Sequence, residues 1–91
     1  MAVTVRIPTP LRPLVKGQAE VGAEGATVIE VIRDLGTKYP ELTSKLLDDK
    51  GGLRRYVNFF VNETDVRDLE GADSPLKDGD TLSVMPAIAG G

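Results

Sequence analysis

The spacing of apolar residues changes period twice along this chain, and that limits the fold more than any other feature. From Ala2 to Ile7 the period is two: Val3, Val5 and Ile7 alternate with Thr4 and Arg6, the pattern of a half-buried strand. From Thr27 the period is helical. Val28, Ile32, Leu35 and Tyr39 follow one another at offsets of four, three and four. From Tyr56 to Asn62 it returns to two, with Val57, Phe59 and Val61 on one side and Asn58, Phe60 and Asn62 on the other. A last strand spans Thr81 to Pro86, with Leu82 and Val84 inward and Ser83 and Met85 outward. One helical stretch between strand-forming stretches, in 91 residues, makes one domain in which a helix covers one face of a sheet.

The punctuation fills in the rest. Pro8, Pro10 and Pro13 end the first strand, because proline has no ladder donor. Gln18 to Val21 reads as a short second strand, bracketed by Gly17 and Gly22 as turn residues. Thr27-Val28-Ile29-Glu30 is a capping box, and Pro40 stops the helix it opens. Glu41 to Leu47 adds a short helical turn, and Asp48 to Gly52 a polar loop. Asn62 suits a tight turn, a short strand is expected around Val66, and Asp78-Gly79-Asp80 is a turn. The order is β-β-α-β-β-β, an α+β arrangement with a mixed sheet of four or five strands. The first two strands form a hairpin. The first and last lie side by side in the middle, so the chain leaves the sheet from its centre.

Composition removes several functions. The formal charge of −3 lacks the basic surplus of a nucleic-acid binder. With no cysteine and no histidine, disulfides, thiol nucleophiles and the usual zinc ligands are excluded. No apolar run approaches the about 18 residues of a membrane span, and the N-terminus lacks a signal-peptide pattern, so the expected location is cytoplasmic. Phosphate-loop, dinucleotide and hydrolase motifs are missing. The acidic pairs Asp48-Asp49 and Asp78/Asp80 sit among glycines, where turn chemistry explains them.

The sequence ends Pro86-Ala87-Ile88-Ala89-Gly90-Gly91. Short glycine ends are commonly nothing but loose chain. Here the end follows a buried strand directly, which divides the chain into a domain over residues 1–86 and a flexible tail over 87–91. Five extended residues reach roughly 17 Å, enough to thread a narrow channel in another protein. Gly90 and Gly91, without Cβ atoms, let that protein approach the backbone closely.

A β-grasp pattern ending this way resembles the ThiS and MoaD family of ubiquitin-like sulfur carriers. The stretch from Asp78 to Gly91 carries most of the likeness, which covers essentially the whole chain. Ile7 to Pro13 and Tyr56 to Asn62 are similar to the CysO branch, which carries sulfur for cysteine biosynthesis. The resemblance implies a carrier rather than an enzyme, with no bound cofactor. An E1-like adenylating enzyme would use ATP to couple the Gly91 carboxylate to AMP. A sulfur donor would then leave a thiocarboxylate on Gly91, next to Gly90. The sulfur would pass to a partner such as a pyridoxal-phosphate-dependent cysteine synthase. Ala87, Ile88 and Ala89 would lie in the partner's channel. Arg6, Phe60 and Met85, expected on the outer sheet face, would form the docking patch, with exposed Phe60 beside exposed Met85. Three other readings stay open: the small subunit of molybdopterin synthase, acting with its large subunit; a protein modifier joined to lysines; and a β-grasp interaction module with an idle tail.

Overall fold

A computed structural model describes residues 2–54 and 57–86. Five strands form one sheet: β1 (Ala2–Arg6), β2 (Glu20–Glu24), β3 (Val57–Val61), β4 (Thr64–Asp65) and β5 (Thr81–Pro86). Two helices, α1 (Val28–Lys38) and α2 (Pro40–Leu46), lie between β2 and β3 in the chain. The strand order is β2-β1-β5-β3-β4. β1 and β5 run parallel, and the other neighbours are antiparallel. This is the mixed-sheet α+β architecture that the periodicity predicts, with first and last strands adjacent at the centre.

Alternation decides which side of each strand is buried. Val3, Val5, Val57, Phe59, Val61, Leu82 and Val84 all face inward, and all are buried. They meet Val28, Val31, Ile32 and Leu35 of α1 and Leu42 and Leu46 of α2 in a single core. The capping box forms: the Glu30 amide donates to Thr27 Oγ1 at 3.3 Å. The return bond runs from the Ala26 amide to Glu30 Oε1 at 3.0 Å, one residue earlier than the usual box. Tyr39 caps the end of α1 and is partly buried, and Pro40 opens α2, the short helical stretch expected over Glu41 to Leu47.

Four expectations are corrected. The second strand is Glu20–Glu24, shifted from Gln18–Val21, because its pairing to β1 runs from Arg6↔Glu20 to Ala2↔Glu24. Gly17 does turn, with φ of +80°, but Gly22 lies inside β2 opposite Thr4. The strand expected around Val66 is the two-residue β4 just before it. Val66 starts a short 3-10 helix (Val66–Asp68) and is buried there. The proline segment is not merely a strand end. Thr9–Val15 forms a 3-10 helix that buries Val15 and packs Leu11 and Leu14 against the core. Proline fixes φ near the helical value, so Pro10 at its start favours that turn.

Candidate functional site

The site begins with how β5 is held. Its entry is a tight turn in which Gly79 takes a φ of +88°. The Lys77 amide donates to Asp80 Oδ2 at 2.9 Å, and the Gly79 amide donates to the Ala2 carbonyl at 2.8 Å. Asp78 Oδ1 accepts the Ala2 amide at 2.8 Å. These carboxylates are therefore turn and strand fasteners, as the sequence suggests. From the other side Asn62 grips the same entry. Its φ is +57°, its amide donates to the Thr81 carbonyl at 2.7 Å, and its Oδ1 accepts the Thr81 amide at 3.1 Å. Asparagine tolerates this left-handed conformation and supplies the side-chain acceptor at once.

At its other end β5 sheds one neighbour before the other. It pairs with β1 only through Thr81, Leu82 and Ser83, but with β3 as far as Pro86. An open groove of about 270 Å³ lies where β1 has turned away, lined by Arg6, Pro8, Arg12, Ser83 and Met85 among others. The groove flanks Ser83, Val84 and Met85 at the end of β5. Residues 87–91, and with them the proposed sites at Ala87, Ile88, Ala89, Gly90 and Gly91, lie outside the described residues.

The outer face carries the other three expected site residues. Arg6 and Phe60 both pair with Ser83, from opposite sides, so one row across the sheet reads Arg6, Ser83, Phe60. Met85 stands in the next row opposite Asn58, diagonal to Phe60. The three share a face as expected. Met85 is 55% exposed, whereas Phe60 is half-buried, which corrects the expectation of an exposed Phe60. Arg6 reaches Glu20 at 3.7 Å with both side chains largely exposed, a pair that contributes little.

Beyond Met85 the border is polar. Arg67 donates to Asn58 Oδ1 at 2.6 Å and to Asp65 Oδ2 at 2.9 Å. The hydrogen bond from Arg67 holds the Asp65 carboxyl below its ordinary range, and the same contact raises the Arg67 guanidinium. Arg12 is the groove residue that sequence reading missed. The 3-10 turn folds it back so that its Nε donates to the Ile7 carbonyl at 3.0 Å. The proline spacing at 8, 10 and 13 was the available signal.

Comparison with known proteins places this geometry. The family model described as "ThiS family" matches residues 5–91. The chain belongs to the ThiS family. The sulfur carrier protein CysO of Mycobacterium tuberculosis is 45% identical over the full length of both chains. A CysO of Amycolatopsis orientalis, crystallised in a BexX/CysO complex, superposes with a TM-score of 0.91 at 44% identity, covering 98% of this chain and 99% of its own. Small archaeal modifier protein 3 of Haloferax volcanii is 40% identical over 75% of this chain and 73% of its own. The fold is thus the ubiquitin-like β-grasp, and the relatives are sulfur carrier and modifier proteins. Among the described residues no helix is long and apolar enough to cross a membrane.

Proposed function

We propose that this chain is a sulfur carrier that holds sulfur as a thiocarboxylate on Gly91. The observation that carries the reading is the full-length likeness to CysO, with the family match running through Gly91. The Gly91 carboxylate is an anion at neutral pH and a poor electrophile. An E1-like enzyme would make it reactive. A carboxylate oxygen attacks the α-phosphorus of ATP, pyrophosphate leaves, and an acyl adenylate forms. Hydrosulfide from a donor then adds to the carbonyl and expels AMP, so sulfur replaces one oxygen. The carrier itself holds no cofactor; the ATP belongs to the partner.

The partner would dock on the row Arg6, Ser83, Phe60 with Met85 beside it. Arg6 and Arg12 border the groove at the tail root and suit carboxylates on the partner. The acceptor fitting the CysO likeness is a pyridoxal-phosphate-dependent cysteine synthase. A molybdopterin synthase large subunit is the alternative, and capture of one or the other by the thiocarboxylated chain separates them. The cytoplasm supplies ATP and keeps sulfide reduced, and is the compartment this reading requires.

The test is intact mass after incubation with the activating enzyme, ATP and sulfide. The expected result is a gain equal to sulfur minus oxygen, lost on deletion of Gly90 and Gly91. No gain, or a gain that survives the deletion, overturns the proposal. The likeness to a small archaeal modifier protein favours a second reading, in which Gly91 is joined to lysines of other proteins. Higher-mass ladders detected by antibody in extracts, absent on deletion of the two glycines, would establish it.

A further inference from the structure

β2 ends the sheet, with β1 on one side. Successive residues of a strand point their backbone groups to alternate sides. The Ile7 amide donates to the Ala19 carbonyl at 2.8 Å, so Ala19, Val21 and Ala23 face β1. Glu20, Gly22 and Glu24 face the open edge. The Glu24 amide shows the direction, because it donates to Asp34 Oδ2 on α1 at 2.9 Å. Asp34 closes that end of the edge. The backbone groups of Glu20 and Gly22 remain directed outward, and no described residue takes them up.

Gly22 is a second, independent observation. A glycine inside a strand loosens it and packs nothing, so it needs a reason. The fold supplies none: Gly22 is not in the left-handed region, and an added Cβ would meet nothing within 4 Å. Its bare backbone lies between Glu20 and Glu24, which share its face by the period of two. A concave region of about 680 Å³ passes over the strand here. Its walls carry the carboxylates of Glu20, Glu24 and Asp78 against the single ammonium of Lys38.

We propose that the β2 edge takes an extended basic segment of a partner protein as an added strand. The partner's main chain pairs with the outward groups of Glu20 and Gly22. One lysine or arginine lies across Gly22, its methylenes on the bare backbone and its charge between Glu20 and Glu24. A second copy of this chain fits badly. Antiparallel pairing centred on Gly22 sets Glu20 of one copy opposite Glu24 of the other, like charge against like.

The test titrates the ¹⁵N-labelled full chain with a capped hexapeptide alternating Lys and Val, and with its Glu/Val counterpart. The Lys/Val peptide is expected to shift and protect the Glu20 and Gly22 amides, with affinity falling as salt is raised. Gly22→Pro removes the outward donor while leaving the β1 ladder intact, and should weaken binding roughly fivefold to tenfold. Should that variant fail to fold, Glu24→Gln gives the same reading through lost affinity and a flatter salt dependence. An equal response to the Glu/Val peptide overturns the proposal. So do shifts confined to Asn58, Phe60 and Met85, no response at β2, or a dimer formed through β2 without peptide. No activating enzyme enters the experiment, so its outcome is independent of the sulfur-carrier reading.

Discussion

Phe59 and Phe60 are neighbours in the chain and do opposite work. Phe59 is 1% exposed and sits in the core on the inner face of the sheet. Phe60 points to the other face, half-buried in the row with Ser83 and Arg6. The same contrast holds along β5, where Leu82 and Val84 are buried and Met85 is open. The inner face holds the fold together by removing apolar area from water. The outer face is left incompletely covered, which a structural requirement alone does not explain. One residue of register separates the two duties, so a slip in pairing would exchange them.

The largest expected break in that contrast comes from Phe59→Ala. Truncating a fully buried phenylalanine costs about 3–5 kcal/mol, a large share of the about 5–15 kcal/mol that holds such a domain. Phe60→Ala should cost about 1 kcal/mol or less, as a substitution that opens no closed cavity. Urea denaturation of the two variants measures both values. Similar losses would mean that the outer face is structural too.

Gly36→Ala comes next, in the helical layer over the inner face. A Cβ there would come within 2.7 Å of Thr43 Oγ1 on α2. Overpacking should outweigh the better helix propensity of alanine and destabilise by about 1–2 kcal/mol. Thr43 Oγ1 is itself a buried hydroxyl with no hydrogen-bond partner among the described residues, so Thr43→Ala is expected to cost little alone and to rescue Gly36→Ala. Additive losses in the double variant would show that the two helices do not meet through this pair.

A smaller effect on stability, but a larger one on recognition, belongs to Phe60→Asp. The melting curve should stay close to that of the parent chain while affinity for the activating enzyme falls about tenfold or more. Unchanged affinity would remove the outer face from the docking surface and leave the groove by Arg6 and Arg12 as the remaining contact.

How much of this was legible beforehand follows from the same contrast. Inner-face residues announce themselves, since Val57, Phe59 and Val61 alternate and cannot be reconciled with another register. The order of the central strands followed from the outer ends of the chain both reading as strands. The edges were harder. Gly22 looked like a turn because glycine usually breaks strands, and only the pairing with Thr4 shows it inside β2. Val66 looked like a strand residue because it is apolar, but it is buried by the turn of a 3-10 helix. Arg12 was missed because the prolines at 8, 10 and 13 mark a turning segment without giving the direction in which it folds back. Phe60 looked exposed because alternation gives the side of a sheet and not the depth. The tail was legible only as a chain end and a resemblance, since glycines carry no pattern of their own.

The smallest effect concerns the polar border beside Met85. Asp65 accepts from Arg67 three times, through its backbone amide at 2.8 Å, through Nε at 3.2 Å and through Nη2 at 2.9 Å. Its carboxyl is held below the ordinary value of 3.8, chiefly by the Arg67 side chain. A carboxyl lowered in the folded state stabilises fully above its unfolded value and loses that contribution as pH falls through the folded one. Asp65→Asn removes the charge and keeps the acceptor that caps the Val66–Asp68 turn, because asparagine caps as well as aspartate. The parent chain should therefore melt slightly higher than the variant at neutral pH and low salt. The two curves should converge below the lowered carboxyl pKa, and also at high salt, since the pair is exposed and screened. Because Arg67 also holds Asn58 opposite Met85, the variant should loosen that border without touching Phe59. A gap in melting temperature that persists in acid would assign the effect to the cap, not to the charge, and the border would then be held by hydrogen-bond geometry alone.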